Sequence, residues 1–193
     1  MAQKKYEFKP DKLGTGLLSK LYMTQSQRQS LLKWSLFALV LLVLSLLQDV
    51  IFCRMRLFGA TTDLMPAAIL LATVMLGTET GCVFALISTC LYQFSGTAPG
   101  YHVIAVLTIL GTLATMFRQS YLQRGFSASM LCSGAALVLY ELIIFAVSAL
   151  SGQTTFARFP VALITAGLSL ISLPVLHPIL RSIHQIGGES WKE

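Results

Sequence analysis

Charge is scarce in this chain. Of 193 residues only 11% are charged, and eight of those are Asp or Glu. So few acids argue against a carboxylate-dense catalytic site. The four cysteines, Cys53, Cys82, Cys90 and Cys132, form no C-x-x-C pair and have no histidine at ligand spacing. They read as small apolar residues inside helices rather than metal ligands. Neither a Walker A pattern nor G-x-G-x-x-G occurs, which argues against an ATPase, a kinase or a dehydrogenase. His102, His177 and His184 stand in separate surroundings, and no Ser-His-Asp arrangement is legible. No catalytic residue, cofactor or metal site is therefore assigned, and the chain is not read as an enzyme. Basic residues are not interleaved with aromatics, so the net charge of +6 points to a membrane surface and not to nucleic acid.

What is abundant is apolar sequence. Hydrophobic residues make up 55% of the chain and the mean hydropathy is +0.72. Between Leu31 and Leu180 the chain is almost continuously apolar, cut into about six blocks by short polar breaks. No soluble core of this size could hide that surface, so the solvent must be lipid. Trp34–Phe52, Tyr101–Phe117, Ser127–Leu150 and Pro160–Leu180 suit helices crossing about 30 Å of hydrocarbon. Leu64–Leu76 and Cys82–Phe94 are short, about 20 Å each as helices. They are either two short spans in a thinned region or one re-entrant hairpin shielded by protein. The expected fold is an all-α integral membrane protein of about six helices: a basic segment 1–33, one transmembrane domain 34–181 and a tail 182–193.

Basic residues orient it. Seven of the 14 Lys and Arg lie in the first 33 residues, from Lys4 to Lys33. With six spans, Arg118, Arg124, Arg181 and Lys192 fall on the same side, leaving Arg54, Arg56 and Arg158 opposite. The positive-inside rule then puts both termini in the cytoplasm. The first block is too long and starts too late for a cleaved signal peptide, and reads as a retained span. Leu17, Leu18 and Leu21 share a helical side among basic residues, which suits either an interfacial helix or a disordered basic tail.

A few polar residues fall where lipid makes them costly. Glu141 sits well inside the fifth block, next to Tyr140. It needs a partner, either as a functional site facing the bundle or as a hydrogen-bonded packing group. His177 lies between Pro174 and Pro178, which bend a helix by freeing backbone carbonyls. A relay from Glu141 to His177 fails on depth. Asp49, Arg54, Arg56 and Asp63 gather around the first outer loop, with His102 near the same level; they either pair with one another or form an outward docking patch. Asp63 suits an N-cap, with Pro66 in the first turn after it. Ser129 and Ser133, and Ala162 and Ala166, recur at the spacing that lets helix backbones approach, inside the chain or against a partner.

One run of features resembles a known family. Leu46-Leu-Gln48 ends the first block, and Asp63-Leu-Met-Pro66 starts the second. The break Leu76-Gly-Thr-Glu-Thr-Gly81 follows, then Tyr92-Gln-Phe-Ser-Gly-Thr-Ala-Pro-Gly-Tyr101, then a span holding Gly111. Over roughly residues 34 to 181 this order is similar to the rod-shape-determining MreD family, with Gln93 about where such chains usually carry Asp. The resemblance implies a non-catalytic scaffold of the bacterial elongation machinery, in the cell membrane. Its partners would be MreC, the actin-like MreB, RodA and a class B penicillin-binding protein. The docking surface would be outer: Asp49, Arg54, Arg56 and the turn around Ser95, Gly96, Pro99 and Gly100. MreD-like chains are also thought to share their fold with substrate-binding subunits of energy-coupling-factor vitamin transporters. That is the competing expectation, with an orphan assembly subunit as a third.

Overall fold

The architecture follows from one helix that is apolar on every side. The computed structural model describes residues 25–186 except 53, 55–58 and 123–124, with side chains from Arg28 onward. Arg56 and the segment around Leu17 to Leu21 lie outside the described residues. Six helices run in order: α1 (Gln25–Leu47, continued by a π-helical turn Gln48–Phe52), α2 (Leu64–Leu76), α3 (Thr78–Phe94), α4 (His102–Tyr121), α5 (Phe126–Leu150) and α6 (Phe159–His184). No strand occurs among the described residues. Four helical segments are long and apolar enough to cross a membrane: Arg28–Phe52, His102–Tyr121, Phe126–Leu150 and Phe156–His184.

Helix α2 is buried along its length from Leu64 to Met75. A helix that is hydrophobic all round has no face to show water, so it takes the centre. It touches all five other helices, which ring it. The ring helices are two-sided. On α1 the inward positions Phe37, Leu41, Leu44 and Gln48 are buried, while Leu39, Leu42, Val43 and Leu46 are exposed. The same split leaves Ile109 and Leu113 on α4, Leu131 and Leu139 on α5, and Ile171 and Val175 on α6 uncovered. So much outward apolar surface fits a lipid-facing belt.

The helices outrun the apolar blocks. Helix α3 begins at Thr78 rather than Cys82, α4 continues to Tyr121, and α6 reaches His184. The helical ladder carries past the hydrocarbon because backbone bonds continue among polar side chains. The expected break at Gly77–Gly81 shrinks to Gly77 alone. Its backbone, φ 94 and ψ 174, is a conformation open to glycine and to few other residues, and it turns the chain from α2 into α3 in one step. The corner lies level with the end of α4: Thr78 Oγ1 donates to Gln119 Oε1 at 2.9 Å, near the last residues of that helix. Above it, Gly81 of α3 packs on the Thr73 carbonyl of α2, and Gly111 of α4 on the Thr73 methyl. These glycines set the spacing of α2, α3 and α4.

Candidate functional site

Starting a helix inside the bundle strands its first N–H groups, which have no carbonyl one turn back, and Leu64 and Met65 are buried. For α2 the partners come from other helices. Gln48 Oε1 on α1 accepts from Leu64 N (2.8 Å) and Met65 N (3.1 Å). Ser169 Oγ on α6 accepts from Asp63 N at 3.0 Å. Pro66, the third residue of the helix, has no N–H to satisfy. Asp63 holds the N-cap position expected of it but makes no side-chain capping bond. Its carboxyl is turned to the Gln48 amide instead, which donates to Oδ1. The cap is thus a glutamine reaching across from another helix.

Around this cap gathers a polar cluster. Asp63, Tyr92, Tyr140 and Glu141 lie close enough to interact electrostatically. Tyr92 and Tyr140 are fully buried and Glu141 is 8% exposed. Glu141 Oε1 is enclosed and has no hydrogen-bond partner among the described residues. The residue forms part of the wall of an open cleft of about 230 Å³ between the C-terminal half of α5 and the N-terminal half of α6. Glu141, Phe145 and Ser148 line it from α5, Thr165 from α6, and Thr154 and Arg158 from the connection between them. Glu141 therefore faces protein and cleft, as the cost of a carboxyl in lipid requires.

The remaining residues singled out in the sequence are dispersed. Asp49, half-buried in the π-helical turn, has an enclosed Oδ1 without a hydrogen-bond partner among the described residues, while Arg54 is exposed. Asp63 turns inward, away from that surface. Gln93 is half-buried at the end of α3, its Oε1 likewise unpartnered among the described residues. The turn beyond is pinned: Ser95 Oγ bonds Tyr92 O (2.7 Å) and Thr97 Oγ1 (2.9 Å). Gly96 there has φ 78 and open space around it; Pro99 is exposed; Gly100 sits against the His102 ring. Phe94 and Tyr101, flanking this turn, are 87% and 85% exposed.

His177 is far from all of this. Its ring meets Phe126 edge-on with centroids 4.5 Å apart, and Nε2 lies 3.4 Å from Ser129 Oγ. From Phe126 to Glu141 α5 rises about 22 Å, so the two titratable groups are not connected. Ser129 and Ser133 are buried on α5, and Gly134 lies against Leu170 and Leu173 of α6. The small residues of the fifth block thus serve packing within the chain.

Sequence reasoning missed Gln48 as a cap, Ser169 altogether, and Arg158 and Phe145 as cleft residues. Only Gln48 carried a signal, an amide closing an apolar run. No protein-family model, curated protein or solved structure matches this chain.

Proposed function

We propose that this chain is a non-catalytic scaffold subunit of the bacterial cell-elongation machinery, guiding lateral peptidoglycan synthesis from the cell membrane. The observation that supports this reading is the pinned turn from Ser95 to Gly100. It lies in the Tyr92–Tyr101 stretch that carries the family resemblance, and it holds out two aromatic rings, Phe94 and Tyr101, with little of either covered. Exposed aromatics on a braced turn suit protein docking, since such side chains dominate interface energetics. Most buried polar contacts, by comparison, hold helices to each other. The partners under this reading are MreC, MreB, RodA and a class B penicillin-binding protein.

The arrangement in the membrane would be six spans with both termini cytoplasmic. The position of the Gly77 corner, beside Gln119 near the end of α4, supports this over a hairpin that turns back midway. A cysteine at Thr80, exposed next to that corner, in a background without the native four, is expected to react with an impermeant maleimide only from the cytoplasmic side. Labelling from neither side would return the hairpin.

Affinity purification of the tagged chain in a gentle detergent, with mass spectrometry of what comes along, tests the function. Recovery of MreC, RodA or a penicillin-binding protein is expected, falling several-fold when Phe94 and Tyr101 are both changed to alanine. The cleft beside Glu141 favours a second reading, a substrate-binding subunit of an energy-coupling-factor transporter. Co-purification of paired ABC ATPases with a second transmembrane subunit would support that one instead.

A further inference from the structure

The cleft between α5 and α6 is unusual in what it joins. Glu141 is nine-tenths buried, with one carboxyl oxygen that nothing in the described protein satisfies. A second acid, Asp63, lies near enough to repel it. Two neighbouring acids in a low-dielectric interior favour a cation between or beside them. Phe145, one turn along α5, also lines the cleft and is held edge-on by Phe156 and Phe159, at centroid distances of 6.4 and 5.4 Å. Aromatic rings attract organic cations as well. From Glu141 to Ser148 the cleft climbs about 10 Å, and along it Arg158 adds a positive charge. At about 230 Å³ the space is smaller than drug-sized sites, which start at about 300 Å³. An occupant the size of an amino acid or a lipid headgroup fits.

We propose that this cleft binds a small zwitterion, with a primary ammonium group on Glu141 and an acidic group on Arg158. A primary amine is specified because the Glu141 carboxyl, part of the cleft wall, is a hydrogen-bond acceptor, and a quaternary ammonium has no N–H to give it. Two sources share this chemistry: the phosphoethanolamine headgroup of a membrane lipid, and a soluble amine with an acid at its other end, such as lysine. The site is independent of the scaffold reading, which rests on the turn at Ser95–Gly100. Failure of either leaves the other standing.

The test uses the full chain in nanodiscs, read by native mass spectrometry and thermal unfolding. The matrix is phosphatidylcholine, with phosphatidylethanolamine or phosphatidylglycerol added at equal amounts. Free phosphoethanolamine and lysine are titrated separately into phosphatidylcholine discs. We expect phosphatidylethanolamine, or one of the soluble amines, to bind at least about tenfold more tightly than phosphatidylglycerol. Retention of the lipid assigns the headgroup, and saturation by a soluble amine assigns the free ligand. Glu141→Gln keeps the shape of the side chain and should reduce binding about tenfold or more. Arg158→Gln, on the exposed side of the cleft, should weaken it several-fold without touching the fold, and it decides the matter if the Glu141 variant does not assemble. Binding no tighter than phosphatidylglycerol, or binding unchanged in the folded variants, would overturn the proposal.

Discussion

Gln48→Leu is expected to be among the most destabilising single changes in this chain. The leucine fills much the same volume but removes the acceptor shared by Leu64 N and Met65 N, and the donor to Asp63. Each buried N–H left without a partner costs about 1–3 kcal/mol, so the loss should be roughly 2–6 kcal/mol. Leu64 and Met65 are buried, so water does not readily replace the lost acceptor. The measurement is the temperature at which the detergent-purified protein loses its monodisperse peak. Gln48→Glu supplies the contrast. It keeps oxygens for both N–H groups but faces Asp63 with a second carboxyl, and it should fall between the wild type and Gln48→Leu. A leucine variant as heat-stable as the parent would mean that the cap does not hold α2.

The second large effect concerns helix spacing, and its sign under a compensating change is specific. A Cβ at Gly81 would stand 2.6 Å from the Thr73 carbonyl oxygen, which is backbone and cannot retreat without moving α2. At Gly111 the new carbon would stand 3.1 Å from the Thr73 Cγ2 methyl, which is side chain. Both alanine variants should lose about 1–3 kcal/mol, the usual cost of overpacking. Thr73→Ser removes the methyl and keeps a hydroxyl able to donate to the Ile69 carbonyl, the bond Thr73 makes at 2.7 Å. It should therefore restore much of the stability lost in Gly111→Ala and little of that lost in Gly81→Ala. A double-mutant cycle measures this directly: coupling on the order of 1 kcal/mol is expected for the 73–111 pair, and less for 73–81, where the methyl also stands 3.3 Å from the new carbon but the carbonyl clash remains. Equal rescue of both would mean that α3 does not approach the α2 backbone this closely.

Hydropathy alone marked out the six helices, because each carries an apolar run set off by polar residues. The ends were less legible. A backbone ladder does not stop where apolar side chains do, so Thr78–Gly81 and Arg118–Tyr121 are helical despite their composition. Glu141 stood out because a lone acid in an apolar run has no bland surroundings to blend into. Gln48 did not, since an amide at the end of a span looks like any interfacial residue. Its role depends on a contact with a helix that begins 16 residues later. Phe145 and Arg158 were hidden for a similar reason: only the meeting of α5, α6 and their connection makes them neighbours of Glu141. Asp63 was placed correctly at the start of α2 but assigned the wrong bond, because nothing local indicates that a rival cap arrives from α1.

The central position of α2 also governs the order in which the chain can be completed. At 13 residues it is shorter than a comfortable span, and its first N–H groups are satisfied by side chains from α1 and α6. During synthesis α1 precedes α2 and can offer Gln48, but Ser169 comes more than 90 residues after the end of α2. Until α6 arrives the start of α2 keeps an unmet donor, and one flank of the helix faces lipid instead of protein. Helix α6 is therefore the one that closes the shell around α2, and a chain cut short before it would hold the five preceding helices yet lack a finished interior. Quality control of this protein in the membrane has a natural signal in that open flank.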